Sequence, residues 1–497
     1  MGYKDAKHRN IYPVTINPDG GLNYTLSAKN IHDNELRVAR NILYDAQTGK
    51  PMTRPGTRCV TASALASPIL RMHYYEKNTT DKWLVCASGG KLYYLSTDAW
   101  VEIGSLTDST TTPSFLTFNS KLLIADGGQN IRTWDGTTYT ALADGLYATA
   151  LCTIKGRVVA NSSDLDLVTL SGPEDETHWN TSTEGAVALR AGFGDELAVN
   201  AFAVYGDDLI ISKKGEVRKT LYRLNVADAT TTNWYVQMLS ENNCAQNHHS
   251  MISAYNNVFF VDSNGFKSLR GVTEYGDLEV DSTGSKINLI FAESPTCDDM
   301  VYIPAYNAIL FCVGARVWAC HRITDASGAV KYSFTDMIFR GGRIRGFVQV
   351  GTTIYLAGQN GYLYRMDDDY ATDETAPSTE VAFGSQLTTK SFSVMGDLIV
   401  RRMKVDMYPK VAGNGSITAN DTVLKSFTIE SPGTMLCDAT GYLAAATGDL
   451  YDDSATSWTE NVRNRYRDDK IAFGISTTSG RVMIENIAVE MAMVEGQ

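Results

Sequence analysis

The sequence predicts an all-β protein built around a β-propeller of six or seven blades. Three observations support this: a β-hairpin pattern that occurs seven times, a fairly regular spacing of these hairpins, and sparse helical periodicity. Each hairpin has a short apolar run, a turn carrying Gly, Asn, Asp or Ser, and a second run that often ends in an aromatic residue. Asn-Gly and Gly-Gly pairs supply the positive φ angles that tight hairpin turns require.

Propeller blades are indicated by the positions of these hairpins. The clearest are Trp83–Leu95, Leu122–Trp134, Val258–Leu269 and Ile354–Met366, and the weaker ones are Val158–Leu170, Leu209–Leu224 and Ile309–Cys320. Successive first residues are separated by 39, 36, 51, 49, 51 and 45 positions. Four-stranded propeller blades repeat about every 40 to 50 residues. A pair of β-sandwiches, which also place short strands at regular intervals, is the alternative.

Composition divides the chain into three parts. Residues 1–60 are polar and poor in hairpins, which predicts an N-terminal arm that packs on the body or on a neighbour, and within them Asn34–Tyr44 has a weak helical pattern. Residues 61–370 are the predicted propeller. An acidic, loop-like stretch follows, and residues 376–497 are predicted to form a β-sandwich-like unit that closes or decorates the ring. The strands expected in that unit are Ser391–Val394, Ile399–Met407, Ser416–Ala419, Ile471–Ser476 and Val482–Met491.

The overall charge argues against a protein that wraps nucleic acid. The 497 residues include 44 basic and 56 acidic side chains, a net charge of -12, whereas DNA binding by phosphate neutralisation needs clustered Lys and Arg. Eight cysteines without CxxC pairs are expected to be buried thiols from a reducing compartment. No apolar run approaches the roughly 20 residues needed to cross a bilayer, so no membrane segment is expected.

Short segments along the chain occur in an order typical of one protein family. Near the N-terminus these are Gly20-Gly21-Leu22-Asn23, Asp33-Asn34-Glu35-Leu36, Arg40-Asn41-Ile42-Leu43-Tyr44-Asp45 and Arg54-Pro55-Gly56-Thr57. Further along they are Leu170–Pro173 with His178–Asn180, Gly192–Asp195, Ala201–Val204, Asp208–Lys213 and Phe260–Gly265. In this order they resemble the tail nozzle proteins of short-tailed bacteriophages, also called packaged-DNA stabilisation or tail tubular B proteins.

The resemblance implies a structural protein of the virion tail that is assembled in the host cytoplasm. It implies a hexameric ring at the distal end of a short tail, attached to an adaptor or portal-proximal ring and plugged by a needle, spike or fibre. The ring retains packaged DNA and later lets it pass, with transient contact to the DNA. An acidic wall suits this passage because it does not neutralise phosphates. The alternatives are a propeller that binds or cleaves carbohydrate in host recognition, and a cytoplasmic scaffold unrelated to phage.

The sequence predicts no catalytic, cofactor or metal site, and the protein is expected not to be an enzyme. Cys244, His248 and His249 offer zinc ligands, but no second cluster supplies a fourth ligand at a recognisable spacing. The acidic residues at 367–374 lack the pattern of a calcium loop. Gly-x-Ser-x-Gly, Walker A and His-Glu-x-x-His motifs are all missing from the sequence.

Two groups of arginines are candidate contacts with other subunits or with DNA. One flanks a Gly-Gly turn and the other has an interleaved tyrosine, and Arg and Tyr are both enriched at protein interfaces. The candidates are Arg340, Arg343, Arg345, Arg463, Arg465 and Arg467. A charged surface hairpin is the alternative interpretation of the first group.

Overall fold

A computed structural model describes residues 11–143, 146–182, 185–271, 278–292, 295–324, 328–430, 435–437, 443–445, 458–462 and 466–494. The fold is all-β, as predicted. Helical structure in the described part is limited to short 3-10 turns at Thr231–Asn233, His248–Ser250, Ser285–Phe291 and Pro304–Tyr306. The N-terminal segment contains the strands β1 (Ile11–Ile16), β2 (Leu36–Arg40), β3 (Ile42–Tyr44), β4 (Pro51–Thr53) and β5 (Gly56–Cys59).

Five separate four-stranded antiparallel sheets follow, called blades 1 to 5. Blade 1 contains β6 (Ile69–Glu76), β7 (Lys82–Ser88), β8 (Lys91–Ser96) and β9 (Ala99–Ser105). Blade 2 contains β10 (Ser114–Phe118), β11 (Lys121–Ala125), β12 (Arg132–Trp134) and β13 (Tyr139–Ala141). Blade 3 contains β14 (Leu151–Ile154), β15 (Arg157–Asn161), β16 (Leu167–Leu170) and β17 (Val187–Arg190). Blade 4 contains β18 (Ala198–Tyr205), β19 (Asp208–Lys214), β20 (Lys219–Asn225) and β21 (Tyr235–Glu241). Blade 5 contains β22 (Met251–Ala254), β23 (Asn257–Asp262), β24 (Gly265–Gly271) and β25 (Leu278–Asp281).

Two more blades complete the ring, and both join other parts of the chain. Blade 6 contains β26 (Cys297–Ile303), β27 (Ala308–Val313), β28 (Arg316–Thr324) and β29 (Val330–Met337), and its last strand touches β2. Blade 7 contains β30 (Ile344–Val350), β31 (Thr353–Gly358) and β32 (Leu363–Asp367). Its fourth strand is β5, which pairs antiparallel with β32. On the outer side of β5 follow β33 (Thr372–Ala376) and β34 (Thr379–Ala382).

The first strands of the seven blades contact one another in a closed series, from β6 through β10, β14, β18, β22 and β26 to β30 and back to β6. Each pair of neighbouring blades also contributes side chains to a shared apolar cluster. Between blades 1 and 2, for example, the rings of Tyr75, Trp83, Tyr94 and Trp134 pack together in stacked and edge-to-face contacts. The described residues therefore form a β-propeller of seven blades, within the range that the hairpin spacing predicts.

All seven predicted hairpins are confirmed. In every blade the predicted hairpin consists of the second and third strands. Gly89 and Gly90 have φ of 57° and 78°, and Gly361 has φ of 83°, the backbone conformation that these tight turns require.

A second β unit follows blade 7. Its strands are β35 (Ser385–Ala419), β36 (Thr422–Ile429), β37 (Met435–Cys437), β38 (Leu443–Ala445), β39 (Trp458–Val462) and β40 (Arg467–Val494). The two long strands change partners along their length: the first part of β35 pairs with the first part of β40, while its middle pairs with the last part of β40. The five short strands expected here thus lie within β35 and β40. The first strand, β1, also pairs with β40.

The helical pattern predicted for Asn34–Tyr44 is wrong, because this stretch forms β2 and β3. Leu36 and Ala39 are buried in β2, which pairs antiparallel with β35, and all three residues of β3 are buried. A half-buried strand followed by a fully buried one leaves apolar residues three and four positions apart, which imitates a helical period.

The division at residues 60 and 376 stays a prediction. Strands β1 and β2 pair with the second β unit, while β5 completes blade 7. Within the described part, seven cysteines are free thiols and five of them are buried. No helix among the described residues is long and apolar enough to span a bilayer.

Arg54, directly before β5, joins three parts of the chain. Its side chain is fully buried and donates to both carboxylate oxygens of Asp373, at 2.9 and 2.6 Å. Its remaining donors reach Asn41 Oδ1 at 3.1 Å and the carbonyls of Pro55 and Ile338, both at 2.8 Å. All five guanidinium N–H groups therefore have a partner, as a buried cation requires.

Aromatic rings and further hydrogen bonds surround this ion pair. The guanidinium lies 4.2 Å from the ring centroid of Phe339 and 3.7 Å from that of Phe383. Asp373 also accepts hydrogen bonds from Thr57 Oγ1 at 3.0 Å and from the backbone N–H of Arg340 at 2.9 Å. We call Arg54, Asp373, Asn41 and these contacts the Arg54 junction.

The Gly20–Asn23 segment makes a similar connection. Gly21 has φ of 69°, and a Cβ there would lie 2.5 Å from the backbone nitrogen of Phe334 in blade 6. Asn23 Nδ2 donates to Glu35 Oε2 at 2.9 Å, and Lys286 Nζ lies 3.0 Å from Glu35 Oε1. Only glycine allows this close approach of two backbones.

Replacing Arg54 should destabilise the whole fold. In Arg54→Ala the Asp373 carboxylate stays buried without its cation, and losing one partner of a buried pair costs about 3–5 kcal/mol. We expect the free energy of unfolding, measured by urea titration followed by tryptophan fluorescence, to fall by about this amount.

Arg365→Ala is the matched control. Arg365 also pairs with an aspartate of blade 7, at 3.2 Å from Asp367, but its side chain is 52% exposed. Exposed ion pairs contribute little, so we expect a nearly unchanged urea midpoint. Equal losses in the two variants would contradict the role assigned to the Arg54 junction.

Candidate functional site

A cavity of about 770 Å³ lies where the first strands of the blades begin. Its lining comes from blades 2 to 7 and includes Thr112, Thr149, Asn200, His249, Asp298 and Arg345. These residues precede or begin the first strands of their blades, so they converge on one face of the propeller at its axis. We call this space the axial cavity.

An ion pair beside the axial cavity links three blades. Arg71, near the start of β6, pairs with Asp299 of β26, whose side chain is only 2% exposed. Asp299 also accepts from the backbone N–H groups of Met300 at 2.9 Å and Phe347 at 3.1 Å. Burial raises the pKa of Asp299 above its ordinary value, although Arg71 and these hydrogen bonds act in the opposite direction. The contacts connect blades 6, 7 and 1 where the ring closes.

Of the arginines singled out in the sequence, Arg345 lines this cavity and Arg343 lies beside it. Arg343 and Arg345 both pair with Asp298, the second at 3.3 Å between Nη2 and Oδ1. Arg345 also donates to Gln359 Oε1 at 3.3 Å. Both cations are partly exposed but share one buried carboxylate. Their predicted contact with DNA or with another subunit stays a prediction.

The other predicted arginines lie elsewhere. Arg340 is exposed and lines a second cavity of about 550 Å³ between the segment that follows blade 6 and the second β unit. Arg467 pairs with Asp397 at 2.6 Å between Nε and Oδ2, on the surface. Arg463 and Arg465 lie outside the described residues.

His248 and His249 form part of the wall of the axial cavity. A short turn capped by Asn247 holds them, and their ring centroids are 5.5 Å apart. Burial, reinforced by the charge of Arg71, lowers the pKa of His248 to about 4 and lowers that of His249 well below its ordinary value. Both rings are therefore neutral at pH 7.

The third zinc candidate, Cys244, is a buried thiol whose pKa is raised to about 11, mainly by burial. Zinc binds the thiolate form of cysteine. Among the residues that the structure describes, no three His, Cys, Asp or Glu side chains are grouped so as to hold a metal ion.

Sequence reasoning missed Arg71, Asn200 and Asp299 as members of this site. They come from blades 1, 4 and 6, and none belongs to a local motif. What these three residues share is their position, because each lies near the start of the first strand of its blade. Once seven hairpins are recognised, the strand before each hairpin indicates which residues face the axis.

The site predicts a pH dependence of stability. After unfolding, His248 regains an ordinary pKa of about 6.5, so between about pH 6.5 and 4 the unfolded chain binds a proton that the folded chain does not. Stability should therefore fall as the pH is lowered through this interval. We expect urea midpoints of the unmodified protein to decrease between pH 7 and 4.5, and His248→Gln to show a smaller decrease.

His32→Gln provides the control, because His32 is exposed and its hydrogen bond to Glu35 uses the backbone N–H, which glutamine keeps. Its replacement should leave the pH dependence unchanged. Asp299 acts with the opposite sign, since its raised pKa makes the folded chain bind the extra proton. The informative quantity is therefore the difference between variant and parent. Identical slopes for His248→Gln and the parent would contradict the assigned burial.

No protein-family model and no curated protein matches this chain. Among solved structures it is similar to virginiamycin B lyase from Staphylococcus aureus, with 8% identity and a TM-score of 0.43, over 62% of this chain and 98% of that one. It is also similar to BamB from Moraxella catarrhalis, with 11% identity and a TM-score of 0.36, over 63% of this chain and 97% of that one. At such low similarity no function carries over, and the propeller is established by the order of the sheets themselves.

Proposed function

We propose that the protein is a structural subunit of the nozzle ring of a short phage tail, as the sequence resemblance implies. The observation that supports this proposal is the position of the N-terminal segments on which the resemblance is based. Gly21 and Asn23 lie against blade 6 and the Glu35–Lys286 pair, while Asn41 and Arg54 belong to the Arg54 junction. The segments thus act in holding the fold together, which supports a mechanical role.

The size of the axial cavity supports a ring of several subunits. A sphere of 770 Å³ is about 11 Å across, whereas the major groove of a DNA duplex alone is about 12 Å wide. A cavity of this size at the axis of one propeller does not accommodate duplex DNA. In our proposal several copies of the chain surround the DNA channel, and six copies is the number that the resemblance implies.

The charge of the chain is compatible with this role. A net charge of -12 disfavours retention of a polyanion by the surface as a whole. Arg343 and Arg345 are already paired with Asp298. Contacts between passing DNA and a surface of this charge would therefore be brief.

The ring would attach to an adaptor or portal-proximal ring above, carry a needle, spike or fibre below, and belong to the virion tail. No catalytic step is part of the proposed role. A propeller that recognises or cleaves glycans is the competing function.

Imaging of the purified full chain tests the proposal. We expect negative-stain micrographs and mass photometry to show closed rings of six subunits, alone or after mixing with tail proteins of the same phage. A monomer that stays dispersed in both conditions and binds cell-surface glycan would overturn the nozzle proposal in favour of host recognition.

A charge reversal examines the predicted subunit contact at Arg340, whose side chain is exposed. Arg340→Glu should reduce the fraction of ring particles at least tenfold, because it places a negative charge opposite a neighbouring subunit that is itself acidic. Arg340→Lys keeps the positive charge and should still assemble. Circular dichroism and the urea midpoint check that both variants fold, and normal rings from Arg340→Glu would remove Arg340 from the interface.

A further inference from the structure

Three strongly exposed apolar side chains lie on one face of blades 3 and 4. They are Leu165, Phe193 and Val217, with exposed fractions of 50, 82 and 89%. Leu165 belongs to the turn between β15 and β16, Val217 to the turn between β19 and β20, and Phe193 to the connection from β17 to β18. These three segments emerge at the same ends of their strands, on the face that also carries the axial cavity. We call the three residues the Phe193 platform.

Contacts between neighbouring segments hold the platform together. The carbonyl of Leu165 accepts from the backbone N–H of Val199 at 2.8 Å, at the start of blade 4. Asp166 pairs with Arg190, whose guanidinium carbon lies 5.5 Å from the centroid of the Phe193 ring. Single exposed apolar residues are normal on a soluble protein, whereas a group of them commonly marks an interaction site.

A fully buried lysine fixes the loop that carries Phe193. Lys213 Nζ lies 2.6 Å from Asp195 Oδ1, and it also donates to the carbonyls of Ala191 and, at 3.4 Å, of Gly192. The three N–H groups of the ammonium therefore all have acceptors, as a buried cation requires. Asp195 and Lys213 are the last residues of two segments on which the sequence resemblance is based.

The backbone of this loop is held in a conformation that needs such support. Gly192 and Gly194 have φ of 70° and 72°, and Glu196 has φ of 60°, which is uncommon for a residue other than glycine. Residues of this kind persist only where surrounding contacts determine them, and Lys213 supplies these contacts. A partner that binds an aromatic ring on a pre-ordered loop loses little conformational entropy. Phe193 thus has the properties of an anchor residue in a protein interface.

A second surface of the same chain complements the platform. The cavity of about 550 Å³ that Arg340 lines, called the Arg340 cavity, lies at the connection from blade 6 to blade 7, three blades further along the propeller. Ile338 and Val423 also line it, and Val423 is 56% exposed. The cavity therefore offers apolar contact beside an arginine, and arginine is attracted to the face of an aromatic ring. A closed ring of identical subunits needs two such different surfaces, on different sides of each subunit.

The charges of the two surfaces favour contact between copies of the chain. Exposed residues of both signs flank the platform, namely Lys214, Arg218, Glu196 and Glu216, and both signs also occur at the cavity, where Arg340 and Asp421 are exposed. The whole chain has a net charge of -12, so two copies repel each other elsewhere. We propose that the Phe193 platform of one subunit docks into the Arg340 cavity of the next, with Phe193 as the central anchor. This inference rests on the proposed ring and names its subunit interface.

Cross-linking of the full chain tests which surfaces meet. Chains with Glu196→Cys, next to the platform, are mixed with chains with Asp421→Cys, at the cavity, and treated with a short bis-maleimide under ring-forming conditions. We expect a covalent dimer from the mixture and none from either variant alone. Lys155→Cys, at the turn between β14 and β15 on the opposite face, replaces Glu196→Cys in the control and should give no dimer.

Removal of the aromatic ring tests the anchor. Phe193→Ser should lower the fraction of ring particles in mass photometry at least tenfold, whereas Phe193→Tyr keeps an aromatic ring and should assemble like the parent. Val101→Ser, on the outer strand of blade 1, is the matched control, because Val101 is also exposed, at 38%, but lies on neither surface. The urea midpoint should stay unchanged in all three variants, since the replaced side chains are exposed.

The outcomes separate this interface from the nozzle role. Rings at the parental level in Phe193→Ser, or rings in which the Glu196→Cys and Asp421→Cys chains do not cross-link, would overturn the docking and leave the nozzle proposal standing. A parent chain that stays dispersed, alone and with the tail proteins, would overturn both.

Discussion

Closure of the propeller ring is the constraint on which the rest of this structure depends. Blades 1 and 7 bury apolar residues against each other, so an open ring would expose apolar faces on both. Strand β5 closes the ring by pairing with β32 and so supplies the last strand of blade 7 from the opposite end of the chain. The pairing also covers an edge that would otherwise invite aggregation. Closing a loop of this length costs conformational entropy, and strong contacts at the point of closure must offset that cost.

The Arg54 junction supplies those contacts, and it extends the closure to the second β unit. Arg54 and Asp373 are 319 residues apart in sequence, yet every donor of the guanidinium is used. Asn41 continues the network by donating to the carbonyl of Gly384 at 2.6 Å, just before β35. Blade closure and attachment of the second unit thus share residues. A substitution in the Arg54 junction should therefore destabilise both the propeller and the second β unit.

Local features of the fold could be predicted from the sequence, and distant ones could not. The hairpins were predictable because Gly89-Gly90 and Asn360-Gly361 determine their turns within a few residues. The pairing of β5 with β32 leaves no local signal, since its partners are about three hundred residues apart. The error at 34–44 has the same origin: burial of β3 depends on neighbours that a short window does not contain. The sequence singled out His248, His249 and Arg345, which lie at the axial cavity, but it did not predict that they lie close together.

The two polar regions of the molecule differ in one respect. At the Arg54 junction the buried cation and its carboxylate have all their partners, which is what a permanent structural contact requires. Beside the axial cavity, the buried atoms His249 Nδ1 and Asn200 Oδ1 have none. A purely mechanical subunit gains no stability from such atoms, because each carries a desolvation cost of about 1–3 kcal/mol. Closure of the ring accounts for Arg71 and Asp299, which bind each other across blades, but it does not account for the unpaired atoms beside them. The buried pairs Arg71–Asp299 and Arg54–Asp373 therefore serve the same purpose, which is closure of the ring.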